Sequence, residues 1–286
     1  MTTITATRAE VCVVACAEAF RGDGEILAAG IGGAITVLAA RLARLTFEPG
    51  LITHDGTCLL TGDVPPLGET PEVVEGWLPF RDHLWLVLNG RRHVMLGASQ
   101  IDRYGNSNIS CIGDWARPRS QLLGVRGAPG NTVCDPTSYW IPRHSPRVFV
   151  PKVDMVSGVG HDRAAEAGPS AYRHHDLRRV VTDLAVLDFD SPDHSMRLAS
   201  VHPGVTVAEV VERTGFPLAV PDAVPQTRLP TAEELHVLRE VLDPGSLRER
   251  EVPDPGSLAP GPPGPSPDRR APGSGAGTRH GREAPA

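Results

Sequence analysis

The sequence predicts an α/β protein: a mostly parallel sheet with helices on both faces. Three observations carry this. In the first half, short apolar runs alternate with segments whose apolar residues recur at helical spacing, the pattern of strand–helix–strand units. In the second half, Val180-Val181-Thr182 and Ala185-Val186-Leu187-Asp188-Phe189 read as further strands. Of the 286 residues, 40% are apolar, enough for a well-buried core.

The elements follow in order. A helix is expected over 7–21, with Thr7 as its cap and Val11, Val14, Ala15 and Phe20 facing inward. Glu25-Ile26-Leu27-Ala28-Ala29 reads as a buried strand, residues 32–46 as a helix with Ile35, Leu38, Ala39, Leu42 and Leu45 on one face, and Leu51-Ile52-Thr53 as the next strand. A helix over 79–89 centres on Leu84, Trp85 and Leu88. Strand His93 to Leu96, the hairpin-like Arg103-Tyr104-Gly105-Asn106 and strand Asn108-Ile109-Ser110 come next. Gln121-Leu122-Leu123-Gly124 reads as an apolar strand ending in a glycine/proline turn, and a short helix is expected through Trp140. Strands at 147–150, 180–182 and 185–189 and helices near 206–214 and 231–242 complete the fold.

From Asp243 onward, 18 of 44 residues are Gly or Pro, and Asp-Pro-Gly-Ser-Leu occurs at both 243 and 254. Such a stretch cannot bury a core, so the folded domain is expected over 1–251 and a disordered tail over 252–286. The formal charge is −6, with no basic block before the tail, which argues against a nucleic-acid or anionic-membrane partner. Five cysteines without a CxxC pair suit reduced thiols in the cytoplasm, with neither disulfides nor a zinc site. The N-terminus lacks a signal-peptide pattern, and no apolar run approaches the roughly 20 residues of a membrane span.

Val125-Arg126-Gly127-Ala128-Pro129-Gly130-Asn131 is the most informative segment. Gly127 and Gly130 remove the Cβ atoms that keep a ligand from the backbone, Pro129 stiffens the turn, and Arg126 offers bidentate recognition of a carboxylate, phosphate or oxyanion. A tight turn with a solvent-facing arginine is the alternative. Because ligands of such sheets sit at the carboxyl ends of strands, the loops 30–33, 53–57 and 125–131 are expected at one rim, with Ser157-Gly158 as a further point of backbone approach. Gly30-Ile31-Gly32-Gly33 opens a helix as a dinucleotide site would. Ile35, however, stands where that fingerprint needs Gly or Ala, so a glycine-rich helix entry is the better reading. His54-Asp55-Gly56 offers a base or a carboxylate nucleophile, or a polar turn without chemistry. Asp193-His194-Ser195 cannot converge as a triad from adjacent positions, and His174-His175 lacks partners at metal-ligand spacing. Cys12 and Cys16 read as core residues, and Trp77, Trp85 and Trp140 as core or interface anchors.

Taken together, several stretches resemble the β subunits of family I coenzyme A transferases of the glutaconate type. They are the Arg126–Asn131 turn, Arg147-Val148-Phe149-Val150 with Val153-Asp154 and Ser157-Gly158, and above all Val180 to Asp190. More narrowly, Glu10 to Cys16, Arg41 to Phe47, Glu75 to Phe80, Gly90 to Met95, Asp102 to Asn106, Asp193 to Arg197 and Gln226 to Thr231 resemble the β subunits of an actinobacterial branch that hydrolyses steroid rings as CoA thioesters. The likeness covers about residues 8–251. It implies the NagB/RpiA-like CoA-transferase fold with a late β-ribbon over Val180 to Asp190, an α2β2 assembly with its site at the subunit junction, and an acyl-CoA substrate with no further cofactor and no metal.

The transferases' strand-end glutamate nucleophile is replaced here by His54, and Asp55 is displaced by one residue onto the other strand face. The resemblance therefore implies a base from the α subunit. Arg126 would stabilise charge or grip a substrate carboxylate, and Gly127, Ala128, Gly130, Asn131, Ser157 and Gly158 would bind substrate. A true CoA-transferase and a non-catalytic scaffold subunit are the competing readings.

Overall fold

The computed structural model describes residues 5–53, 59–60 and 63–253. Helix α1 (Arg8–Glu18) begins at Thr7, whose hydroxyl accepts from Glu10 N while the Glu10 carboxylate accepts from Thr7 N, a reciprocal capping box. It is followed by β1 (Leu27–Gly30), α2 (Ala34–Thr46) and β2 (Ile52–Thr53). The short strands β3 (Leu59–Leu60) and β4 (Gly76–Trp77) pair with each other before α3 (Phe80–Asn89) and β5 (Arg92–Leu96). An excursion then forms two small hairpins, β6 (Gln100–Ile101) with β7 (Ser107–Asn108) and β8 (Cys111–Ile112) with β9 (Ser120–Gln121). Next come α4 (Ala128–Cys134), β10 (Pro136–Ile141), α5 (His161–Glu166), α6 (Pro169–Tyr172), β11 (Asp176–Thr182), β12 (Ala185–Asp188) and β13 (Arg197–Val201). The chain closes with α7 (Val207–Glu212), α8 (Ala232–His236), a π-helical turn Val237–Leu242 and α9 (Arg248–Glu251).

Among the described residues, seven strands form the central sheet in the order β13-β12-β11-β10-β5-β1-β2. The pairs from β2 to β11 are parallel, whereas β11–β12 and β12–β13 are antiparallel, so the expected parallel sheet with a late ribbon is the fold observed. Side chains alternate across the sheet: Tyr139 and Ile141 join the core on one face, Trp140 the core on the other. The Trp140 face is filled by α1 and α2, where Cys12 and Cys16 are fully buried as free thiols. Burial of each large apolar side chain here contributes roughly 1.5–3 kcal/mol.

The structure corrects four assignments. Trp140 lies on β10, because a strand covered on both faces shows no clean alternation and its short apolar run resembles a helix segment. Residues 122–124 are not strand; β9 ends at Gln121, and Leu123 is exposed. The 147–150 segment is a turn with one bridge, Ile101 to Phe149. Val252 is buried in the α1/α2 core, so the folded unit reaches beyond 251. Residues 254–286 of the expected tail lie outside the described residues. No helix among those described is long and apolar enough to cross a membrane.

Candidate functional site

The parallel part of the sheet runs β2-β1-β5-β10-β11, so the chain steps outward from β1 to β2 and then returns past β1 to β5. Connections leave in opposite directions at that point, and in such sheets the crevice outside the carboxyl ends of the two strands, here β1 and β5, is where ligands bind. Its rims are Gly30-Ile31-Gly32-Gly33 and Gly97-Ala98-Ser99. Ile31, Gly32, Gly97 and Ser99 are exposed there. Two of these glycines are required. A Cβ on Gly30 would fall 2.3 Å from Thr36 O in the first turn of α2, and Gly32 has φ +114°.

Gly33 is the N-cap of α2 and supplies no side chain to it. The missing acceptor comes from far along the chain. Glu251 Oε2 accepts from Ile35 N at 3.0 Å, and Oε1 accepts from Trp140 Nε1 at 2.6 Å. The expected glycine-rich helix entry is thus present, capped by a carboxylate that no local motif signals.

Arg126 has φ +50°, a left-handed conformation that costs a non-glycine residue roughly 1–2 kcal/mol. It is exposed, and no described residue pairs with it. What reads as a turn around it is the entry to α4, with Gly127 as N-cap and Pro129 in the first turn. Helix α4 hands over to β10 through Asp135 alone and packs on β10 and β11. Helix and strand therefore run in opposite senses, and Arg126 lies toward the carboxyl ends of the strands.

Arg92 anchors the far end of α4. Its Nε meets Asp135 Oδ2 at 3.0 Å, and Nη2 donates to Asn131 Oδ1, all three residues being buried.

This geometry narrows the expected contacts. Ala128 is buried and its N–H donates to Val125 O; Asn131 N donates to Gly127 O and its side chain is taken by Arg92. The N–H groups of both residues and the Asn131 Oδ1 are thus engaged within the protein, because the segment is helical rather than an open turn. Gly127 and Gly130 remain partly exposed beside Arg126. Ser157 is buried, its hydroxyl bonded to Ser110 Oγ and Ile109 N. A Cβ on Gly158 would sit 2.4 Å from Ser107 Oγ, so that pair serves packing against β7 and not backbone approach to a ligand. His54 and Asp55 lie outside the described residues.

Other polar groups resolve by burial. Asp193 accepts from Ser195 N and Ser191 Oγ within one turn and forms no triad with His194. His175, read as solvated, is instead half-buried: Nδ1 donates to Thr132 O at 2.6 Å and the ring meets His161 edge-on. His161 stacks on His194, and burial, reinforced by His175 and His194, lowers its pKa to about 4.

A triad the sequence did not suggest joins Asp23, His93 and Ser138: His93 Nδ1 lies 2.7 Å from Asp23 Oδ2 and Nε2 lies 2.9 Å from Ser138 Oγ. Ser138 and His93 are wholly inaccessible, so this is a structural tie. Trp140 is core, whereas Trp77 and Trp85 are 65% and 63% exposed, which leaves the interface reading for these two.

Sequence reasoning missed the Gly97–Ser99 rim and Glu251. For the first, a glycine directly after the apolar run His93 to Leu96 was the available signal; for the second there was none.

The coenzyme A transferase family model matches residues 85–213. The chain is 52% identical over 246 residues to the cholesterol ring-cleaving hydrolase IpdB subunit of Rhodococcus jostii (strain RHA1), covering 86% of this chain and 96% of that protein. It is 33% identical over 248 residues to one of the subunits of the 3-oxoadipate CoA-transferase of Pseudomonas knackmussii, covering 80% and 91%. The crystal structure of Rhodococcus jostii RHA1 IpdAB matches with a TM-score of 0.82 at 51% identity, over 88% of this chain and 99% of that one.

Proposed function

Because the chain belongs to the coenzyme A transferase family, on the branch of the cholesterol ring-cleaving hydrolase IpdB subunits, we propose that it is the β subunit of a heteromeric cytoplasmic hydrolase that opens a steroid-derived ring as its CoA thioester. The observation that carries this is 52% identity along nearly the whole length of the relative. The exposed tryptophans Trp77 and Trp85 support a partner face, and an α2β2 assembly is the form we propose.

The chemistry is a retro-Claisen cleavage. Water, deprotonated by a carboxylate of the α subunit, adds to a ring ketone. The tetrahedral oxyanion collapses to a carboxylate while the carbon–carbon bond breaks, and its electron pair passes to the carbon next to a second carbonyl as an enolate, which is then protonated. Both anions call for fixed positive charge in a site shielded from water. Arg126 is the residue to which we assign that role, either on the developing oxyanion or on a substrate carboxylate, with Gly127 and Gly130 beside it. Its guanidinium, unpaired among the described residues, and its left-handed backbone support the assignment, since strain of this kind collects where function requires it. CoA enters as part of the substrate, and the reading needs no metal or redox cofactor.

The test is to coexpress the chain with an α-type partner and assay a ring-opened steroid CoA thioester with wild type and Arg126→Ala. A loss of about a hundredfold or more in kcat is expected, as for removal of one oxyanion donor. Full turnover by the variant would remove Arg126 from the site. Equal activity of the β chain alone would refute the shared-site arrangement.

A further inference from the structure

We propose that Glu251 is a positioning residue that holds the Gly30–Gly33 loop in its working shape. The inference rests on the reading that this loop borders the reactive crevice. Three sets of contacts carry it.

First, both carboxylate oxygens are engaged at the start of α2, one by Ile35 N and one by the Trp140 indole, so Glu251 ties the loop after β1 to the carboxyl end of β10. A charged acceptor at the N-terminus of a thirteen-residue helix satisfies orphan N–H groups and the helix dipole together.

Second, the loop is shaped to admit it. A Cβ on Gly33 would lie 2.2 Å from Glu251 Oε1 and 2.6 Å from Oε2, although the φ of Gly33 is one that any residue adopts. Glycine is needed here for space, and the space is filled by the carboxylate.

Third, the carboxylate is delivered by a hook built from buried charge. Arg248 bridges Glu10 at 3.0 Å and Asp243 at 2.9 Å, with all three side chains almost wholly buried. Asp243 also accepts from Leu247 N and Arg248 N. Buried charges persist when opposite charges meet them in this way, and the hook they fix ends at Glu251. The Gly30–Gly33 loop is therefore preorganised by a residue far away in sequence, which spares reorganisation during the reaction.

The experiment uses the complex with the α-type partner and compares wild type, Glu251→Ala, Glu251→Gln and Gly33→Ala, each with and without sodium acetate. Amide hydrogen exchange is read over residues 30–36 alongside kcat and KM. In Glu251→Ala, exchange at Ile35 rises about tenfold or more and kcat falls by a similar factor. Acetate, entering the vacated space, restores both in a saturable way. Glu251→Gln keeps one of the two bonds and is intermediate, whereas Gly33→Ala behaves like Glu251→Ala and is not restored by acetate.

Wild-type exchange over 30–36 in Glu251→Ala would overturn the proposal. So would wild-type kcat in that variant, or loss of protection spread evenly over the domain without acetate rescue. If wild type itself does not turn over the thioester, the proposed reaction fails, and the exchange and acetate arm still decides whether Glu251 holds the loop.

Discussion

Replacing Arg92 by alanine removes the guanidinium that ties the end of α4 to β5 and leaves the Asp135 carboxylate buried and alone. Both side chains are under 5% exposed, so water cannot take over. Breaking such a pair from one side costs about 3–5 kcal/mol, and Asn131 also loses its donor. About 4 kcal/mol corresponds to a drop in Tm of roughly 8–16 °C for a domain of this size.

The penalty has a definite pH dependence. Burial raises the Asp135 pKa while Arg92 lowers it, so without Arg92 burial alone acts and the folded-state value climbs further. A raised carboxyl pKa means that the folded state binds more protons than the unfolded one. Stability of the variant relative to wild type therefore falls as pH rises above the ordinary carboxylate range and recovers as pH drops toward about 4. Asp135→Asn placed on top of Arg92→Ala removes the lone charge and restores part of the loss. Urea unfolding of the four proteins of this cycle between pH 4 and 8 measures each term. A loss under about 1 kcal/mol, a penalty that grows on acidification, or a double variant no better than Arg92→Ala would refute the reasoning.

Further outcomes are expected. Gly30→Ala forces a Cβ against the backbone of α2, which cannot swing away; urea unfolding should show a loss of about 1–3 kcal/mol or more, and an unchanged midpoint would contradict the geometry. His144, His161 and His202 have folded-state pKa values lowered by burial to about 3, 4 and 4. Their contribution to stability is complete above about pH 6.5 and is lost as pH falls toward 4, at about 1.4 kcal/mol per pH unit for each proton taken up. His161→Phe should make that slope shallower in denaturant midpoints measured from pH 7 to 4.5, and an identical slope would count against burial of the neutral ring. Arg126→Gly should match or exceed wild type in Tm, by relief of about 1 kcal/mol of left-handed strain, while turnover collapses. A destabilised Arg126→Gly would mean that the strain is absent.

The parts of the fold readable from sequence were those set by local rules. Thr7 with Glu10 marks the start of α1, and Thr231 with Glu234 the start of α8, through side chains that bond their own first turn. Ile35, Leu38, Ala39 and Leu42 mark α2 because its buried face repeats at helical spacing. Reading failed where neighbours in space decide. Pro136 to Ile141 is central in the sheet and buried on both faces, so it carries no period-two signal, and Arg126 to Asn131 has turn composition yet continues into α4 because Pro129 sits in the first turn, where its missing N–H costs nothing. At the crevice, Gly30–Gly33 was visible through its glycines. Glu251 was not, since more than 200 residues separate it from Ile35 and no spacing links them.

The Asp23–His93–Ser138 tie gives the sheet a spectroscopic handle. Asp23 also receives Arg178 at 2.6 Å, and its carboxylate accepts the ring hydrogen of His93 Nδ1, while Nε2 shares a hydrogen bond with the Ser138 hydroxyl. Residues of β5 and β10 thereby meet at one imidazole held away from solvent, and Arg178 of β11 reaches it through Asp23. The Nδ1 hydrogen, slow to exchange and shifted downfield by its short bond to Asp23, should report in an NMR spectrum whether these strands are in register. The signal would vanish as soon as one strand slips, long before the bulk secondary structure changes.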